Sequence, residues 1–169
     1  MAKRTHTCIL AALALAVPLS GCGHNSPSST IQAVSFRADA GPNRQPFRPS
    51  ESQTILDLGD LTIRAQCARG EGGQPFLNVG ASTGVDNATI SSRFTERGQP
   101  PTPYLFVIED FDKSYGDYDF LGHPRRAAGD LGYSRPDGGQ VSLSYTTTSG
   151  AGGPADCFLG GAATYAPPQ

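Results

Sequence analysis

From Thr54 to the C-terminus, no stretch of ten residues holds a 3.6-residue apolar period without a glycine or proline inside it. Helices are thereby excluded over most of the chain. What remains is a series of short apolar-alternating segments divided by turn residues, with 21 glycines and 14 prolines to make the turns. The expectation is an all-β fold: a single antiparallel β-sandwich or barrel domain with one disulfide.

The segments can be placed one by one. "LTIRAQC" puts Leu61, Ile63, Ala65 and Cys67 on one face and Thr62, Arg64 and Gln66 on the other. "ARGEGGQP" is a glycine-rich turn. It is followed by a strand over 76–82 in which Leu77, Val79 and Ala81 face together. Ala88, Ile90, Ser92 and Phe94 then face inward. Tyr104 to Ile108 is apolar on both faces, the composition of a central strand covered on two sides. "GDLGYSRPDGGQVSLSYTTTS" reads as a hairpin turning at Pro136-Asp137-Gly138-Gly139, with Val141, Leu143, Tyr145 and Thr147 lining one side. "ADCFLGGAATY" is the last strand.

The N-terminal end has a different character. Lys3 and Arg4 precede a twelve-residue apolar run, "CILAALALAVPL" (8–19). As a helix this spans about 18 Å, too short for a hydrocarbon core of about 30 Å. The run ends in Leu19-Ser20-Gly21-Cys22. A charged start, a short apolar middle and small residues at a cleavage point read as a secretory signal. The four residues resemble the lipobox of bacterial lipoproteins at every position. That resemblance implies diacylglycerol on Cys22, cleavage before it, palmitate-type acylation and attachment to the extracytoplasmic face of the bacterial cell membrane. Residues 1–21 are then a lipoprotein signal peptide. Residues 22–30 are a lipidated N-terminus and flexible tether, and 31–169 a β-rich domain. A first strand is expected near Ile31–Arg37, and 31–53 is either further tether or a long loop of the domain. The domain loosely resembles small secreted β-domains of high-GC Gram-positive bacteria through "LTIRAQC", "GYSRPDGGQVSLSY" and "DCFLGGAAT"; this implies no activity.

Loss of residues 1–21 leaves 11 basic and 15 acidic residues, a net charge of −4. That balance argues against nucleic acid or anionic lipid as the main partner. Cys8 departs with the signal and Cys22 takes the lipid. Cys67 and Cys157 remain, an even pair in an exported chain, and a disulfide is expected between them. Two isolated cysteines without C-x-x-C or nearby histidines make a poor metal site, and no cofactor is expected.

Chemistry-bearing residues are few. "EDFDKSYGDYDF" gathers Glu109, Asp110, Asp112, Asp117 and Asp119, with Tyr115 and Tyr118 among them. It reads first as a solvated hairpin with acidic outward residues. The rivals are weak calcium binding, although the spacing is not that of an EF-hand, and a partner-binding surface on Asp110, Asp112, Tyr115, Asp117, Tyr118 and Asp119. His123 is the single plausible general base, since His24 lies beside the anchor. No G-x-S-x-G, H-E-x-x-H, P-loop or dinucleotide fingerprint is present. The expected class is a non-catalytic binding or scaffolding module acting on an unidentified envelope component. The alternatives are a carrier of a small apolar ligand and a hydrolase built on carboxylates and His123.

Overall fold

The computed structural model describes residues 28–40, 52–70, 72–98, 102–121, 126–150 and 155–169. Its strands are β1 (Thr30–Ala38), β2 (Gln53–Leu58), β3 (Leu61–Arg69), β4 (Pro75–Thr83), β5 (Ala88–Glu96), β6 (Thr102–Phe111), β7 (Tyr118–Asp119), β8 (Arg126–Ser134), β9 (Gln140–Ser149) and β10 (Cys157–Ala166). They form a six-stranded sheet ordered β1-β10-β9-β8-β5-β6 and a four-stranded sheet ordered β2-β3-β4-β7, antiparallel throughout. Two sheets face each other across one core, so the fold is a sandwich and not a closed barrel.

Period-2 alternation builds that core. Leu61, Ile63 and Ala65 from β3 are completely buried, as are Val79 and Ala81 from β4 and Ala88 and Ile90 from β5. Val141, Leu143, Tyr145 and Thr147 of β9 line the inner face as expected. The polar side of β3 is less exposed than its pattern suggests. Gln66 is buried and stands opposite Asn78, which is buried too.

Several ties join the sheets among the described residues. Cys67 on β3 and Cys157 on β10 form a disulfide between residues 90 positions apart, with Cα atoms 5.7 Å apart. Closing so long a loop restricts the unfolded chain by roughly 4 to 5 kcal/mol in the chain-entropy account. The Tyr133 hydroxyl on β8 lies 2.7 Å from Thr83 Oγ1 on β4, a buried hydrogen bond across the core. At one end of the sandwich Arg135, in the β8–β9 turn, pairs with Asp60 (3.1 Å) and Asp137 (2.7 Å) and donates to the Tyr165 hydroxyl (3.3 Å). Asp60 reaches it because β2 and β3 are joined by a two-residue turn with positive φ at both Gly59 (59°) and Asp60 (64°). A Cβ on Gly59 would come within 2.6 Å of the Tyr165 ring, so the approach of the turn to β10 requires glycine there.

The β8–β9 hairpin turns where expected. Gly138, at φ 92°, follows Pro136-Asp137, and Asp137 Oδ1 accepts from the Gly139 amide at 3.0 Å. β1 pairs with β10 along its whole length, so Thr30–Ala38 belongs to the sheet and not to a tether. Gln53 opens β2, while residues 41–51 lie outside the described residues.

Two expectations are corrected. Residues 104–108 do not form a central strand. β6 is the edge of the six-stranded sheet, bonded to β5 alone, and Leu105 and Val107 are 72 % and 54 % exposed. The acidic segment is not a hairpin either: it crosses from β6 in one sheet to β7 in the other. An apolar pattern tells which side chains avoid water. It carries no information about whether a strand lies on both sides.

Candidate functional site

The crossover holds the residues that the sequence offered as a possible partner-binding surface, Asp110, Asp112, Tyr115, Asp117, Tyr118 and Asp119. β6 ends in a bulge where Ile108 pairs with Ile90 but Phe111 with Ala88, and Asp110 takes a positive φ of 56° there. Asp112 Oδ1 accepts from the Asn87 amide at 2.7 Å, which ties the crossover to the β4–β5 connection. A 3-10 turn over Lys113–Tyr115 follows. Lys113 Nζ lies 3.0 Å from Asp86, and hydrogen bonding to Lys113 holds the Asp86 carboxyl below the usual carboxylate range, against a small opposing effect of desolvation. Asp117, its side chain 6 % exposed, places both oxygens 3.1 Å from Arg64 Nη1. Asp119 Oδ1 accepts from the Leu121 amide at 3.1 Å. Among the described residues no three His, Cys, Asp or Glu side chains converge as metal ligands. Tyr115, itself exposed, packs on the buried Phe111, and the half-buried Tyr118 on Phe106, both with ring centres 5.6 Å apart. The crossover is a structural clasp. Its carboxylates hold amides and an arginine in place.

Among the described residues, two hollows lie elsewhere, on the outer face of the six-stranded sheet. Small and hydroxyl-bearing residues alternate outward from its middle strands: Ser144, Thr146 and Thr148 from β9, Ala128 and Asp130 from β8, Gly160 from β10. With so little side-chain bulk the face is hollowed. One hollow of about 420 Å³ runs over Ala128–Asp130, Ser144–Thr146 and Gly160–Gly161. A second, of about 220 Å³, is bounded by Arg97, Arg126–Ala128 and Thr146–Thr148. Ala128 and Thr146 line both, so the two hollows adjoin and are taken together as a trough.

Its walls and rim are specific. The Phe158 ring leans over Gly160, where a Cβ would meet it at 2.7 Å, and the Arg37 guanidinium lies 5.9 Å from that ring's centre. Asp130 accepts a hydrogen bond from Ser144 on the floor. At the far end the Arg97 amide donates to the Arg126 carbonyl at 2.8 Å, which brings both arginines to the same hollow. Neither guanidinium has an ion-pair partner among the described residues. Below the floor, burial pushes the Tyr145 hydroxyl up to about 12, partly offset by its contact with Ser92 (3.2 Å). This tyrosine is neutral, core-facing and unsuited to proton transfer at ordinary pH.

Sequence reasoning overlooked the trough. Its signal is the outward alternation of serine, threonine, alanine and glycine on three successive strands, which is visible only once those strands are known to be neighbours. Cys22, His24 and His123 lie outside the described residues, as do residues 1–27 altogether. No helix among the described residues is long and apolar enough to cross a membrane. The chain matches no family model, no curated protein and no solved structure.

Proposed function

We propose that this chain is a lipid-anchored extracytoplasmic lipoprotein whose sandwich is a non-catalytic binding module, holding a hydroxyl-rich, anion-bearing envelope polymer in the trough of its six-stranded sheet. The anchor half of the reading rests on Leu19-Ser20-Gly21-Cys22 behind its charged and apolar leader. The binding half rests on one observation: Arg97 and Arg126, both without ion-pair partners among the described residues, border one hollow that Thr146 and Thr148 also line. Two like charges brought to the same recess repel each other. An oxyanion seated between them converts that repulsion into charge-assisted hydrogen bonds. Hydroxyls and the Asp130 carboxylate along the rest of the trough suit the hydroxyl groups of a glycan, and the Phe158 ring offers a wall for a sugar face.

The carrier reading is weaker. The inner side of residues 104–108 is occupied by aromatic packing, Tyr104 stacked on Phe94 at 4.9 Å and Phe106 against Tyr118. Ala128→Trp places a large ring at the junction of the two hollows while the facing residue, Thr146, keeps its strand pairing. The full chain is expected to co-sediment with isolated bacterial cell-wall polysaccharide, and Ala128→Trp to reduce the bound fraction at least about tenfold. Equal sedimentation of the two proteins removes the trough from the account.

A further inference from the structure

β6 has the side-chain composition of a central strand and the position of an edge strand. From Tyr104 to Ile108 it carries no charge, and its outward Leu105 and Val107 stand in solvent. Edge strands of monomeric sheets are ordinarily blunted by lysine, proline, a bulge or a covering segment, because an unpaired row of N–H and C=O groups is a template for another chain. β6 has such devices only at its ends. Pro103 lacks an amide proton, and the 109–110 bulge breaks the regular ladder. Among the described residues, no strand pairs with the free side of the stretch between them.

We infer that the free edge of β6 pairs with β6 of a second copy of this chain, antiparallel and about a two-fold axis at Phe106, to give one continuous sheet of twelve strands, six from each copy. The register follows from the strand's own limits. Pro103 and Glu109 lie three positions either side of Phe106, so this axis matches the whole regular stretch against itself. It places Leu105 directly opposite Val107 of the other copy, twice. The four outward apolar side chains then form one cluster across the seam. Charge is complementary in the same arrangement. Arg93 stands beside Leu105 on the outer face of β5, exposed and without an ion-pair partner among the described residues. Glu109 of the second copy arrives opposite Pro103, on the same outer face as Arg93 and separated from it by the width of β6. The symmetry repeats that pair at the other end. β1 is the opposite edge of the sheet. The inference does not depend on what the trough binds.

The test uses the full chain extracted from membranes in detergent. Sedimentation velocity is expected to give a dimer for the wild type. Val107→Lys changes an exposed side chain and sets a charge at the seam. It is expected to lower the dimer fraction at least about tenfold with an unchanged far-UV spectrum. A monomeric wild type, assemblies without defined size, or a Val107→Lys protein that remains dimeric overturns the inference. A second variant checks the register. Leu105→Cys/Val107→Cys is expected to give a covalent dimer on mild oxidation in intact membranes, and failure to crosslink overturns the pairing.

Discussion

Tyr145 shows how much a single residue decides here. It is a large polar side chain at the centre of the six-stranded sheet's inner face, flanked on either side by Gly129 and Gly161 and capped edge-on by Phe120 at 6.0 Å. Burial raises its hydroxyl to about 12, above its unfolded value near 10. The unfolded chain therefore loses this proton first as pH rises. The stabilisation is complete below about pH 10, declines through the interval from 10 to 12, and is absent above it. Tyr133 is pushed in the same direction by its own burial. Chemical denaturation between pH 9 and 12 is expected to show a loss of up to about 2 kcal/mol from this source, and Tyr145→Phe to flatten a large part of that slope. An identical slope in the variant contradicts the assignment. The alternation in "VSLSYTTT" was enough to place Tyr145 inside. The glycines that make room for it could not be matched to it without the strand order.

At the scale of the element, legibility depended on whether the information was local. The β8–β9 hairpin was readable because Pro136-Asp137-Gly138-Gly139 states its own turn, and β3, β4 and β9 because period-2 alternation is a property of one strand. β6 and the crossover were misread for the opposite reason. Whether Tyr104–Ile108 has one neighbour or two, and whether 109–120 returns to the same sheet, is decided by pairings far away in sequence. The Gly59-Asp60 turn went unremarked because its need for positive φ at both positions is clear only beside Tyr165. The disulfide is the exception: a non-local contact foreseen from counting cysteines in a chain whose leader reads as an export signal. It joins β3 to β10, strands of different sheets, so it staples the sandwich across its core. Cys67→Ala/Cys157→Ala is expected to lose about 2 to 5 kcal/mol in denaturant unfolding without a change in far-UV spectrum. A loss below about 1 kcal/mol contradicts that role.

Taken as a whole molecule, the chain divides its tasks between its two sheets. The four-stranded sheet and the crossover supply closure, through Arg64–Asp117, Asp112–Asn87 and the Arg135 network. The six-stranded sheet supplies the surfaces: the trough on its outer face, an edge composed for pairing at β6, and at β1 the opposite edge, which leads back to the proposed anchor. The central claim is that the sandwich is delivered oxidised to the outer side of a membrane and held there by lipid on Cys22. Mass spectrometry of the protein purified from bacterial membranes without reductant tests it most directly. The account predicts a chain that starts at Cys22, carries diacylglycerol on that residue, and has no thiol open to alkylation until it is reduced. A chain that still begins at Met1, with no lipid on Cys22 and with Cys67 and Cys157 both alkylated before reduction, contradicts it.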